Sequence, residues 1–398
     1  MADLLISGAG IAGSAAAIAL AQAGHRVRLL ERAPSDTAPS SGIFVYSNGL
    51  LTLDALGVLP EILAAGYAVR DGRNLYLDPQ GRTLAETRYP ALDGGRIPAI
   101  LGIRRADLHR ILVARRAALG VPLRLASEIA ALTETPGGVR VTLTDGTEHA
   151  ADALIVAEGL RSTTRALAGW DVAPRYTGFG VWRSVHPRPA GIDAKILVMG
   201  AGKRFGIMPI SDDRLYTFGT IPMPKDRRID PAQGAAEMAA TFADIGGPAR
   251  QFLDALTPEA EPFYTAVEEV ALPLPWARGR VLLIGDAAHA STPFMGQGGA
   301  MAMEDGTVLA RTLAAVPDDL PAAFARFAAL RYPACAFVQE ASRRVGEAGA
   351  IETPDAVAAR DAALARDGQA QVDGFYARLA AFRAETDAAL AASAVPVP

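Results

Sequence analysis

Cysteine is almost absent from this chain: Cys335 is the only one among 398 residues. That excludes an intramolecular disulfide framework and any cysteine-based zinc site, and it fits a reducing cytoplasm. Lysine is nearly as scarce, occurring only as Lys195, Lys203 and Lys225, so the 39 basic residues are almost all arginine, scattered without a long run. An excess of either charge is missing as well. The formal net charge of −4 leaves no basic footprint, which argues against nucleic acid as a partner. Half of the residues are hydrophobic and 21% are charged, so what is present is a globular chain with material for a large core and length for two or three domains.

The longest uncharged stretch, Leu4 to Gly24, has the length of a membrane span or a signal peptide. It follows the acidic Asp3, where a signal peptide carries positive charge, and glycines interrupt it at turn and close-packing positions. A buried strand followed by a buried helix accounts for it, and no membrane partner is expected.

Asp3 to Ser7 reads as a short strand, Gly8-Ala9-Gly10-Ile11-Ala12-Gly13 follows at once, and an alanine-rich helix runs to about Ala23. A second strand, Arg26 to Leu30, ends in Glu31-Arg32. This is a dinucleotide-binding βαβ unit. Its glycines allow a tight turn, close approach of a pyrophosphate and close helix–strand packing, with phosphates on the free amides and positive end of the helix. Glu31 is positioned to accept hydrogen bonds from a ribose hydroxyl. The motif alone does not separate FAD from NAD.

The C-terminal half does. A strand from Arg280 to Ile284 leads into Gly285-Asp286-Ala287-Ala288-His289, then Thr292-Pro293-Phe294-Met295-Gly296-Gln297-Gly298-Gly299 and a helix to about Leu313. This resembles the second FAD signature of the flavoprotein aromatic hydroxylases, the p-hydroxybenzoate hydroxylase-like monooxygenases. The resemblance implies that Asp286 binds the ribityl chain. It also implies that Gly296, Gly298 and Gly299 open a helix whose N-terminus faces the flavin, where reduced flavin carries negative charge. His289 belongs to this motif and is given no catalytic role. Three weaker matches agree: Gly42 and Asn48 beside the isoalloxazine, Arg105 on the FAD phosphates, and Glu158-Gly159 where the family carries Asp-Gly.

The resemblance covers about residues 1–345. It implies an α/β fold: a Rossmann-like FAD-binding domain built from 1–70, 100–175 and 272–340, with an inserted β-rich substrate domain from 71–99 and 176–271. A C-terminal helical tail, 341–398, follows Pro333 and ends in a loose Val-Pro-Val-Pro. Within the substrate domain, Gly202-Lys203-Arg204 and Arg214-Leu215-Tyr216 look most like the FAD-dependent urate hydroxylase branch, which implies Arg204 and Tyr216 as catalytic residues near flavin and substrate, with Pro293 beside them. Met208, Arg183 and Phe294 are the expected substrate contacts, while Trp182 and His186 are further candidates on the same stretch. Urate-hydroxylating relatives carry an acid directly after the proline. Phe294 cannot act as a base but can line a dry apolar pocket, so a phenol, aminoarene or N-heteroaromatic ring is expected rather than urate.

The function implied is hydroxylation of a small aromatic or N-heteroaromatic ring. FAD is reduced by a transient NADH or NADPH, and O2 adds at flavin C4a as the hydroperoxide before transfer. A monomer or homodimer is expected. Two alternatives share the FAD domain. A flavin-dependent halogenase has a Trp-x-Trp-x-Ile-Pro signature, but here Trp182 is followed by Arg183-Ser184. The other is a flavin-binding protein that shelters a reactive intermediate without turnover.

Overall fold

The computed structural model describes residues 1–37, 41–260 and 262–392. Two large sheets organise the chain. The first is six-stranded, in the order Ala277–Arg278, Val281–Leu283, Ala153–Val156, Asp3–Ser7, Arg26–Leu30, Leu123–Arg124. All its pairings are parallel except the edge hairpin of Ala277–Arg278 with Val281–Leu283. Parallel strands need both faces covered, which is why Asp3–Ser7 and Ala153–Val156 read as continuous apolar runs instead of alternating. Helix Ile11–Gln22 is apolar all round for the same reason: it is sandwiched between the sheet and helix Gly298–Ala315, which crosses it closely enough that a Cβ at Gly306 would stand 2.7 Å from the Ala16 amide nitrogen. Among the described residues no helix is long and apolar enough to cross a membrane.

The second sheet is seven-stranded: Phe263–Glu269, Arg175–Pro187, Arg214–Pro222, Arg204–Pro209, Lys195–Met199, Arg73–Leu77, Thr83–Arg88. Its pairings are antiparallel apart from Lys195–Met199 with Arg73–Leu77. One face packs a small core of Trp182, Phe205, Phe242 and neighbours. The other face meets the main core, to which it contributes Val185, Met208 and Tyr216. A three-stranded sheet of Gly42–Tyr46, Ile100–Arg104 and Tyr67–Ala68 lies at this junction, and a further one (Glu148–Ala151, Gly138–Leu143, Ile129–Thr135) flanks the first sheet. The fold is thus the expected α/β class with a β-rich second body.

Two long helices close the chain, Leu320–Gly349 and Pro354–Ala392. The first runs straight through Pro333, so the proline starts no new segment. A proline inside a helix loses one backbone bond and crowds the preceding turn. Here the helix is pinned on both sides: Arg331 donates to Asp305, Glu304 and the Met301 carbonyl, and Gln339 donates to the carbonyls of Val270 and Ala290. The Val-Pro-Val-Pro end lies outside the described residues.

Candidate active site

The two glycine-rich turns face a single cavity of about 690 Å³ between the sheets, within the size range of small-molecule sites. From the first turn come Gly8, Gly10, Ile11 and Ala12, followed by Glu31 and Arg32 at the end of the second strand. Gly13 does not reach the cavity. It lets helix and strand close up, since a Cβ there would overlap the Gly8 carbonyl oxygen at 1.8 Å. Glu31 is already engaged by the backbone, accepting from the amides of Ala9 (2.8 Å) and Ala33 (2.9 Å). Each carboxylate oxygen keeps a second lone pair for a ligand. Gly10 caps its helix without a side chain, leaving the first amides bare, and a Cβ at Gly10 would meet nothing within 4 Å. The turn is therefore a cradle that any side chain would begin to fill, and it suits a pyrophosphate.

From the second turn, Asp286, Pro293, Phe294, Gly296, Gly298 and Gly299 line the same cavity. Burial holds the Asp286 carboxyl above the usual range, with His289 and Arg105 pulling the other way. The turn that presents Asp286 is fixed from behind: Gly285 sits at φ +59°, and Asp305 accepts from its amide at 2.8 Å. The other contacts of Asp305 are His289 Nε2 at 2.7 Å and Arg331 Nε at 2.8 Å. His289 is consumed in this buried network and does not reach the cavity. Sequence reasoning did not find Asp305 or Arg331, which lie 19 and 45 residues beyond Asp286 on two different helices and carry no local motif. Helix Gly298–Ala315 opens on the cavity with no side-chain cap, so its positive end is available to an anion.

Arg105 reaches the cavity from the first turn of helix Arg105–Ala118, and Glu158 and Gly159 reach it from the end of strand Ala153–Val156. Glu158 uses its extra methylene to accept four hydrogen bonds: from Ser7 Oγ (2.5 Å), Ser162 Oγ (2.7 Å), Thr164 Oγ1 (2.6 Å) and the Thr164 amide (3.0 Å). It ties the first strand to helix Thr163–Leu167.

The second sheet supplies the opposite wall with Arg204, Tyr216 and Arg183. Arg204 is the first residue of its strand and not part of the hairpin turn. It is only 5% exposed, donates to Thr220 Oγ1 (3.3 Å) and lies over the face of Phe294, whose ring centre is 5.2 Å from the guanidinium. Among the described residues no carboxylate pairs with it. Burial lowers its pKa to about 10, Tyr76 opposes that shift and Arg360 adds to it, so the charge persists at neutral pH. Tyr216 packs against Gly42, where a Cβ would stand 2.3 Å from the tyrosine Cβ and Cγ, and burial raises its hydroxyl pKa so that it remains a donor. Arg183 stands nearer the mouth, on Thr265 and over Phe263.

Besides Gly13, four candidates are not brought to this cavity. Met208 is fully buried in the main core and does not line the cavity, although its strand partner Tyr216 does. Asn48 turns away, donating to Gln297 Oε1 at 2.9 Å and lining a separate cavity under the C-terminal helix. Trp182 fills the small core. His186 is neither solvated nor a proton carrier at the site: it is buried against Ser184 and Phe252, and burial lowers its pKa to about 4. Missed entirely was Lys195, 4% exposed behind Phe44. Its Nζ donates to Tyr46 and Tyr89 hydroxyls, both at 2.9 Å, and among the described residues no acid pairs with it. Its one signal is a lysine opening an apolar strand in a chain with so few.

Residues 1–319 match the family described as FAD binding domain. The chain belongs to this family of FAD-dependent monooxygenases. The flavoprotein monooxygenase is 32% identical over 372 residues to an aurachin C monooxygenase/isomerase of Stigmatella aurantiaca, covering 93% of this chain and 95% of that protein. It is 32% identical to a 2-heptyl-3-hydroxy-4(1H)-quinolone synthase of Pseudomonas aeruginosa, covering 88% and 90%. The fold superposes on Klebsiella pneumoniae HpxO complexed with FAD and uric acid with a TM-score of 0.84 at 27% identity, covering 94% and 95%. The bare helix start at Gly10, the paired turns and the cavity volume fit the FAD that this family binds.

Proposed function

We propose that this monooxygenase hydroxylates a small aromatic or N-heteroaromatic ring bearing an anionic or hydrogen-bond-accepting oxygen, with NADH or NADPH as transient electron donor. The observation that carries this reading is Arg204, a buried cation with no carboxylate partner among the described residues, which lines the cavity together with the rings of Tyr216, Phe218 and Phe294. A buried charge is costly unless something compensates it, and a bound anion would do so.

FAD, when bound, supplies electron transfer and the activation of oxygen. The chain's own residues do the rest. Arg204 holds the substrate oxygen and favours the electron-rich, deprotonated ring. Tyr216, kept protonated, donates a hydrogen bond to the same ligand. Phe294, Phe44 and Phe218 flank the ring and exclude water. Asp286 and Glu31 bind the ribityl chain and a ribose, Arg105 the phosphates. Glu158 keeps the floor of the cavity in register, and Arg183 meets the outer end of the substrate. The cofactor part is drawn from 1–70, 100–175 and 272–340, and the substrate part from 71–99 and 176–271. The relative named as a 4(1H)-quinolone synthase supports a bicyclic 4-quinolone type of ring as well as a simple phenol.

Arg204→Ala tests the proposal. The variant is expected to keep its FAD but to consume NAD(P)H without forming hydroxylated product, measured by oxygen uptake against product mass over a panel of phenols and 4-quinolones. Undiminished product yield would remove Arg204 from the site. A panel that never stimulates NAD(P)H consumption by the unmodified enzyme would remove the substrate class.

A further inference from the structure

Helix Leu320–Gly349 ends in two glycines, Gly346 and Gly349, spaced four and seven residues after Ser342, so the three share one face. Glycine weakens a helix, and neither glycine serves as a left-handed cap. Their neighbours explain them. A Cβ at Gly346 would stand 2.4 Å from the Phe294 ring, and one at Gly349 would stand 2.5 Å from Arg204 Nε. Ser342 Oγ donates to the Thr292 carbonyl (2.7 Å) and accepts from Thr292 Oγ1 (2.7 Å) and the Met295 amide (3.3 Å). One helix face therefore seats both the Thr292–Met295 segment and the Arg204 side chain. Phe294 is held between the Arg204 guanidinium at 5.2 Å and the Phe179 ring at 5.1 Å. Phe294 and Arg204 line the cavity, whereas Ser342, Gly346 and Gly349 do not.

We infer that the Ser342–Gly346–Gly349 face is a specificity-determining template, which holds the Phe294 ring and the Arg204 guanidinium back from the cavity and thereby sets the width of its ring-binding end. These are positioning residues, acting through two side chains that touch the ligand. The inference rests on the proposed reading that Arg204 and Phe294 face substrate. A methyl group at Gly346 has one way to be accommodated, because helix backbone lies behind it: the ring moves toward the cavity. The end of the cavity narrows, and a fused bicyclic ligand is penalised more than a single ring.

The test uses the FAD-loaded enzyme and its Gly346→Ala, Phe294→Leu and Gly346→Ala/Phe294→Leu variants, with phenol and 4-hydroxyquinoline as probes titrated by flavin absorbance. Gly346→Ala is expected to weaken 4-hydroxyquinoline about tenfold, as overpacking does, and phenol far less. In the Phe294→Leu background the same alanine should change neither affinity by more than about twofold, since the ring it pushes is gone. Equal weakening of both probes, or an undiminished effect in the Phe294→Leu background, overturns the template. A crystal structure of Gly346→Ala gives a readout independent of any probe: a Phe294 ring displaced toward the cavity supports the inference, and an unmoved ring refutes it. If the ring moves but neither probe binds the unmodified enzyme, the template stands and the substrate class falls.

Discussion

Lys195→Met removes a buried ammonium that, among the described residues, pairs with no acid. Burial, with Arg204 adding repulsion, lowers the Lys195 pKa from 10.5 to about 7. The folded value lies below the unfolded one, so between pH 7 and 10.5 the unfolded chain binds more protons and the stability of the unmodified enzyme rises with pH. Below that window both states are protonated and the penalty is fully present; above it the penalty is gone. The slope is about 1.4 kcal/mol per pH unit where fully developed, which amounts to about 2.5 kcal/mol from pH 7.5 to 9.5. Methionine keeps the apolar packing against Phe44 and loses the bonds to Tyr46 and Tyr89, a cost that does not vary with pH across this range. Urea unfolding at saturating FAD, followed by far-UV circular dichroism at several pH values, isolates the effect as a difference. The stability of Lys195→Met relative to the unmodified enzyme should fall by about 2.5 kcal/mol across that interval. A difference constant to within about 0.5 kcal/mol would show that Lys195 is not a desolvated ammonium and would refute the reasoning.

Asp286→Ala should lose most of its FAD on purification, read from the ratio of flavin to protein absorbance; full flavin content would show that the second turn does not hold the cofactor through this carboxylate. Glu158→Asp withdraws the carboxylate by about 1.5 Å, one bond length. It cannot then keep Ser7 and both groups of Thr164, so it should cost about 1–3 kcal/mol while leaving flavin content unchanged, and an unaltered melting temperature would count against the four-bond network.

The parts of the site that were legible in the sequence are those made by contiguous residues. A strand, a glycine turn and a helix follow one another from Asp3 to Gln22 because each local signal agrees with the next. The Gly285–Gly299 segment is legible on the same ground. What was not legible depends on groups that meet across the chain. Lys195 is caged by Tyr46 and Tyr89, 149 and 106 residues away, and no spacing rule joins them. His186 carries the residue type of a proton carrier, but strand alternation turns it into the core against Ser184, away from the cavity. Asn48 lies in a segment whose start, Gly42, lines the cavity; the chain has by then entered helix Ser47–Ala55, which rotates its side chain to the far side. Pro333 reads as a break until Arg331 and Gln339 are seen anchoring the helix on either side of it.

Arg204, which lines the cavity, and Lys195, buried against Phe44, repel each other, and among the described residues no carboxylate pairs with either. Folding alone leaves that repulsion standing, so it is available to favour an anion. A ligand anion held by Arg204 would also act on Lys195, raising its pKa from about 7 because the charged form gains attraction. Binding near pH 7.5 must therefore draw a proton from solution. Well below pH 6 Lys195 is already charged and the uptake vanishes. Calorimetric titration of the FAD-loaded enzyme with salicylate, run in phosphate and in Tris, measures this directly, because the two buffers release a proton with very different heats. The observed enthalpy should differ between buffers near neutral pH, converge at lower pH, and become buffer-independent in Lys195→Met. Proton uptake that persists unchanged in that variant would show that the two cations do not share the ligand's charge, and that Arg204 receives the anion alone.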